Sequence, residues 1–155
     1  MNIRFRQTAI GLIGIAEQGG ALSGLFFGSV SVPKGDGASS IPLLDEAFSQ
    51  LDAWLDGQVR SFTLPLAPAG TAFQQRVWAA LSGIPYGCTA SYREVAESVG
   101  SPDSARAVGG ACGRNPLPIF IPCHRVLCSD GGIGGYLGGP DIKMSLLDLE
   151  RRSRA

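Results

Sequence analysis

Apolar positions along the chain fall into two regimes. Up to residue 30 they come in short runs broken by glycine. Leu12–Ala16 and Ala21–Phe27, separated by Glu17-Gln-Gly-Gly20, form the pattern of two strands joined by a tight turn. Gly19 and Gly20 can take the positive φ that such a turn requires. Val30–Ser40 is rich in Gly, Ser and Pro and reads as a loop. From Pro42 the period lengthens. Leu44, Ala47, Phe48, Leu51, Trp54 and Leu55 share one face of a helix over Pro42–Asp56, with proline in its first turn and Gly57 at its C-cap. Ser61–Leu64 reads as a further strand.

Past the linker-like stretch Leu66–Thr71 the signals become helical. Thr71 and Gln74 make a capping box, followed by an apolar stripe of Phe73, Val77, Ala80 and Leu81 up to Gly83. Ile84–Gly87 is a turn. Ser91 and Glu94 cap a second helix, Tyr92–Val99, which Gly100 ends. Ser101-Pro-Asp103 has the cap, the N1 proline and the acid of a third helix start, and that helix runs to about Gly113. Two short helices across a Gly-containing turn are the pattern of a helix-turn-helix, and also of many plain cores. The second helix carries Arg106-Ala-Val-Gly-Gly-Ala111, small enough to let a helix, a sheet or a DNA groove approach. Ile119–Ile121 leads as a strand into Cys123. Ser129–Pro140 is a glycine-rich loop. Asp141–Arg152 is the last helix, with Ile142, Leu146 and Leu149 on one face, and Glu150 reads by position alone as a solvated carboxylate.

Composition narrows the class. A chain of 155 residues, 45% hydrophobic and 17% charged, suits a soluble globular protein of one domain or two small ones. No apolar run is long enough for a membrane span, and Met1–Arg6 lacks a signal-peptide core, so the expected location is the cytoplasm, with reduced cysteines. Cys88, Cys112, Cys123 and Cys128 form no CxxC pair, and a single histidine cannot complete the usual zinc set, so no metal is expected. Net charge is zero, which gives no global attraction to nucleic acid. Locally the balance differs. Ser104–Ser129 holds no acid and three arginines, Arg106, Arg114 and Arg125, a cationic surface that suits an anionic partner and lowers a thiol pKa.

The candidate chemistry lies in Asn115–Val126. A cysteine is nucleophilic as thiolate, and a base and a nearby cation are its two common activators. Cys123-His124-Arg125 brings both kinds of group within three residues. Successive side chains of a strand point to opposite faces, so either the chain turns at Cys123 or the two groups communicate through a water. Pro122 favours irregular backbone here. Cysteine and histidine alone fit equally a buried structural thiol beside a surface imidazole.

The segment Gly70–Glu150 resembles the O6-alkylguanine-DNA alkyltransferases, also called methylated-DNA–protein-cysteine methyltransferases. The resemblance is carried by Phe73–Trp78, Ile84–Gly87, Ser91-Tyr92, Ala105–Ala111, Asn115-Pro116, Ile121-Pro-Cys-His-Arg-Val126, Gly135-Tyr136 and Gly138-Gly139, in the family's order and spacing. It implies an α/β (α+β) fold in two parts. Residues 1–65 would form a supporting sheet-plus-helix module, and residues 66–155 a winged-helix-like module holding the helix-turn-helix and the cysteine. The implied activity is repair of duplex DNA: an O6-alkylguanine, or an O4-alkylthymine, is flipped from the stack and its alkyl group passes to Cys123. The implied roles follow the motifs. His124 takes the thiol proton through a water, Glu150 orients the imidazole, and Tyr92 protonates the leaving base. Arg106 fills the gap left by the flipped nucleotide, and Ala105, Ala107, Gly110, Arg114 and Arg125 complete the DNA-binding set. Asn115 is a hinge and, with Tyr136, Leu137 and Val126, belongs to the base-binding set. Leu137 departs from relatives that have serine there, which bears on pocket width. The zinc ligands near the N-terminus of some relatives are absent, no cofactor is implied, and no sensor domain of the transcriptional-activator type precedes the module. A monomer is expected. A thioether is a poor leaving group, so a single turnover is implied, with Cys112 and Cys128 in packing roles. Two other readings stand beside this one: a lesion sensor that binds without accepting the group, and a multiple-turnover cysteine hydrolase.

Overall fold

The computed structural model describes residues 1–28 and 41–153, so the expected loop Val30–Ser40 lies outside the described residues. The chain divides into two compact units, Met1–Pro68 and Ala69–Ala155, within the linker-like stretch. The architecture is mixed α/β. Among the described residues no helix is long and apolar enough to cross a membrane.

In the first unit, strands β1 (Asn2–Thr8), β2 (Gly11–Gln18) and β3 (Ala21–Phe27) form an antiparallel sheet in that order. The turn between β2 and β3 is built on Gly19 (φ 62°) and Gly20 (φ 85°), the positive-φ pair expected there. β1 was not expected. Ile3 and Phe5 alternate with Arg4 and Arg6, and a half-exposed edge strand of this kind carries little hydrophobic signal. Helix α1 (Pro42–Leu55) starts on its proline, and Gly57 follows its end at φ 76°. It buries Leu44, Ala47, Phe48, Leu51 and Trp54 against Ile13, Ile15, Leu22 and Leu25 of the sheet, while Leu55 is half-buried. The expected strand Ser61–Leu64 does not form. Gln50 of α1 accepts from the Thr63 N–H at 2.9 Å and donates to its hydroxyl at 3.0 Å, and so replaces a strand neighbour. Only a single bridge, Leu22 to Leu66, joins β3 to this segment.

The second unit holds α2 (Ala72–Ser82), β4 (Ala90–Ser91), α3 (Tyr92–Ser98), α4 (Ala105–Gly113), β5 (Val126–Leu127) and α5 (Pro140–Ser153). Both capping boxes are present, Thr71 with Gln74 and Ser91 with Glu94. α4 begins later than expected. Ser101–Ser104 closes a turn, with the Ser104 N–H on the Ser101 carbonyl at 2.9 Å, so Pro102 serves a turn and the helix starts at Ala105. Trp78 of α2 fixes α4 from below: its indole N–H donates to the Ala111 carbonyl at 2.9 Å in a buried setting. The parallel pair of β4 with β5 sets Ala90 opposite Val126 and Ser91 opposite Leu127. It thereby places the start of α3, and Tyr92, beside the segment that follows Cys123.

Trp78→Phe keeps an aromatic core residue and removes the donor to Ala111. Stability is expected to fall by about 1–3 kcal/mol, read as a lower urea midpoint at unchanged m-value.

Candidate active site around Cys123

The loop after α4 is over-determined. Asn115 is buried; its side-chain amide donates to the Ile121 carbonyl at 2.9 Å, and its oxygen accepts from the Leu117 N–H at 2.9 Å. The Ile121 N–H closes on the Leu117 carbonyl at 2.8 Å. Between them Ile119 sits at φ 75°, a left-handed conformation that costs a β-branched residue about 1–2 kcal/mol. Pro122 (φ −79°, ψ 64°) then makes an inverse γ-turn, with the Cys123 N–H on the Ile121 carbonyl at 2.8 Å. Cys123–Arg125 is a single 3-10 turn. The expected strand through Cys123 is therefore replaced by a turn, the first of the two geometries that adjacency with His124 allowed.

That turn sends His124 and Arg125 inward. Cys123 is 3% exposed, His124 0%, Arg125 8% and Glu150 1%. Glu150, which by position read as solvated, is the common acceptor. It meets His124 Nε2 at 2.5 Å, Arg125 Nε at 2.9 and 3.1 Å, and the Gly87 N–H at 2.8 Å. Arg125 also donates to the Ile84 carbonyl at 2.7 Å. Arg125 was expected on the DNA-binding surface; the structure instead spends its charge on Glu150.

Burial would raise the Glu150 carboxyl, but donors from His124, Arg125 and Gly87 outweigh it and hold the pKa below the ordinary range. For His124 burial dominates; with the Arg125 and Lys143 charges it outweighs Glu150 and lowers the pKa, so the ring is neutral at pH 7. Burial pushes the Cys123 thiol up to about 11, opposed by a hydrogen bond from Asn115 and by the Lys143 cation. The expected lowering of the thiol by neighbouring arginines does not occur. Burial likewise raises the Tyr92 hydroxyl to about 12 and keeps it a proton donor.

Cys123 lines a cavity of about 650 Å³. Its walls include Tyr92, Ala105, Arg106, Gly109, Tyr136 and Leu137, with Leu137 46% exposed. Gly134 (φ 72°) brings backbone so close to Tyr92 that a Cβ there would lie 2.7 Å from the hydroxyl oxygen. Arg106, Ala107 and Gly110 are exposed on α4, and Arg114 is exposed just past its end. Val126 was expected to contact the base, but its side chain is fully buried and outside the cavity wall. Asn115 is likewise absent from that wall; its bonds shape the turn. Cys112 and Cys128, expected as packing residues, both line the cavity.

Comparison with known proteins decides the family. The family model for the 6-O-methylguanine DNA methyltransferase DNA-binding domain matches residues 72–152. A methylated-DNA–protein-cysteine methyltransferase of Methanosarcina barkeri is 55% identical over 108 residues, 70% of this chain and 68% of its own length. The chain belongs to the methylated-DNA–protein-cysteine methyltransferase family. The constitutive methyltransferase of Bacillus subtilis is 50% identical over 72% of this chain and 68% of its own. A crystal structure of Mycobacterium tuberculosis OGT in complex with DNA superposes with a TM-score of 0.87 at 40% identity, covering 97% of this chain and 93% of that one.

One methyltransferase residue escaped the sequence reading. Lys143 is fully buried, and its ammonium donates to the Val126 carbonyl at 2.7 Å and the Gly135 carbonyl at 3.2 Å. The buried face of α5 is Lys143, Leu146 and Glu150, displaced from the expected Ile142, Leu146 and Leu149. The i, i+3, i+7 spacing was available as a signal, but a lysine and a glutamate are ordinarily read as solvent-facing.

Glu150→Gln leaves Arg125 buried without its counter-charge and is expected to cost about 3–5 kcal/mol. A carboxyl with a lowered folded pKa stabilises above its unfolded value and loses that contribution as pH falls through the folded one. Stability measured by urea denaturation against pH should therefore decline in acid, below the unperturbed value of 4.5, in the parent. The Glu150→Gln profile should lack that step.

Proposed function

We propose that this chain binds duplex DNA, everts an O6-alkylated guanine, and transfers the alkyl group irreversibly to its own Cys123. The observation that carries the reading is a single cavity lined by Cys123, Tyr92, Tyr136 and the Arg106 side of α4, backed by the His124–Glu150 pair. Its volume falls within the range of about 300–1,000 Å³ typical of small-molecule pockets. The names of the relatives and the DNA complex of the mycobacterial OGT support it.

The second unit would carry both DNA binding and transfer, with the first as support. The exposed α4 residues Arg106, Ala107 and Gly110, with Ala105 at the helix start and Arg114 just past its end, approach the minor groove, where small side chains permit contact and sequence discrimination is weak. Arg106 occupies the gap left by the everted nucleotide, at an unstacking cost of a few kcal/mol that a damaged pair reduces. Tyr136 stacks on the base, and the backbone at Leu137 faces its oxygen.

With the thiol protonated in the free protein, activation requires proton removal in place. Neutral His124, its Nε2–H given to Glu150, takes the Cys123 proton through a water, and Glu150 stabilises the imidazolium. The sulfur lone pair forms the S–C bond as the C–O6 bond breaks. The bonding pair goes to the guanine, which Tyr92 protonates. The thioether has no route back to a thiol, so each polypeptide acts once. O4-alkylthymine presents the same C–O bond and is a second substrate.

Intact-mass spectrometry after mixing with an O6-methylguanine duplex should show one added methyl on Cys123 and none in Cys123→Ser. Binding without an adduct would favour a lesion sensor, and continued product release a hydrolase. Arg106→Ala should slow repair in duplex DNA at least tenfold more than reaction with free O6-benzylguanine, about 1.4 kcal/mol of selective loss. Equal slowing would remove the intercalating role.

A further inference from the structure

We propose that Lys143 is a positioning residue of the site: its buried ammonium ties the segment after Cys123 to the cavity loop and supplies the fixed positive charge for the thiolate. The proposal rests on the reading of Cys123 as alkyl acceptor.

The placement breaks three ordinary rules at once. Lys143 is fully buried, although lysine is among the residues least often found so. It lies in the first turns of α5, with its N–H on the Gly139 carbonyl at 3.1 Å, where the helix dipole disfavours a cation. Its flexible stem is immobilised, at an entropic cost. A sequence that violates local preference at a buried position does so where function demands it.

The partners say what the charge does. Its two hydrogen bonds join the carbonyl of Val126, three residues after the nucleophile, to that of Gly135, beside the wall residue Tyr136. The segment that follows the nucleophile and one wall loop of the cavity are thus pinned to one atom. Both acceptors are neutral, and among the described residues no carboxylate pairs with it. Arg125, the other buried cation, is already neutralised by Glu150. The groups around the Lys143 charge are Cys123 and His124 from the 3-10 turn, Cys112 from α4, Cys128 beyond β5, and Tyr92 from α3, whose ring centroid lies 5.9 Å away. Of these, the sulfur that must become anionic for transfer is Cys123, and Lys143 acts to lower its pKa. The ammonium faces an anion only while Cys123 is deprotonated, and alkylation, which turns the sulfur into a thioether, ends that pairing.

The test is carbamidomethylation of Cys123 by iodoacetamide, followed by peptide mass spectrometry from about pH 6 to about pH 10, where a thiol held near 11 labels in proportion to its small thiolate fraction. Lys143→Met keeps the apolar stem, and Lys143→Gln keeps a donor without the charge. Both profiles should move to higher pH by about one unit, a tenfold slower labelling at neutral pH. Profiles coinciding with the parent, or restored by Lys143→Gln, would overturn the electrostatic role. The unaltered chain provides a second reading should either variant not fold. The Lys143 side-chain resonance should move as Cys123 ionises and lose that step once Cys123 is alkylated, and a resonance blind to both would overturn the proposal. Labelling needs neither DNA nor guanine. A shifted profile in a chain that takes no alkyl group from DNA would sink the repair reading and leave this one standing.

Discussion

One buried carboxylate organises the site. Glu150, near the end of α5, receives the imidazole of His124, the guanidinium of Arg125 and the backbone N–H of Gly87. It thereby joins the last helix, the nucleophile turn and the loop after α2. A carboxylate at 1% exposure is costly unless every lone pair is used, and here donors from three directions use them. The same saturation keeps it ionised, and its charge holds the imidazole in one orientation. If the carboxylate were lost, Arg125 and His124 would both be buried without their partner.

The proposed nucleophile is not ionised in advance. Burial holds the Cys123 thiol near 11, so at neutral pH the resting protein carries a thiol. Such a sulfur is inert towards casual electrophiles, which suits a group that can be used once. Reactivity then depends on a base placed to remove the proton when substrate is present, and on a field that accepts the resulting anion. In the proposed mechanism His124 is that base and Lys143 supplies that field. The strained Ile119 and the clamp from Asn115 fix the turn that carries Cys123 and His124.

What was legible in the sequence was local. The capping boxes of Thr71 and Ser91, the Gly19-Gly20 turn and the helix from Pro42 each depend on residues within four positions of one another, and each formed. Local signals also misled where two motifs share residues. Pro102 fits a helix start and a turn equally, and the turn was used. The strand expected at Ser61–Leu64 gave way to Gln50, a neighbour 13 residues away. Cys123 with His124 was legible as a pair of types, while Glu150 joined them only through the family resemblance. The fate of the site's charges was not legible. Arg125 is turned inward by a partner 25 residues away, so it read as a surface cation, and Lys143, held by carbonyls of β5 and the glycine loop, was not singled out at all.

The central claim is that burial holds His124 neutral while Glu150 keeps its proton on Nε2, so that in the proposed mechanism Nδ1 can serve the thiol. The chain has a single histidine, which makes the claim directly measurable. Nitrogen-15 NMR of the imidazole should show the Nε2–H tautomer at neutral pH, with ionisation displaced below the ordinary value of 6.5. A ring that is already cationic at pH 7, or that carries its proton on Nδ1, would contradict the account.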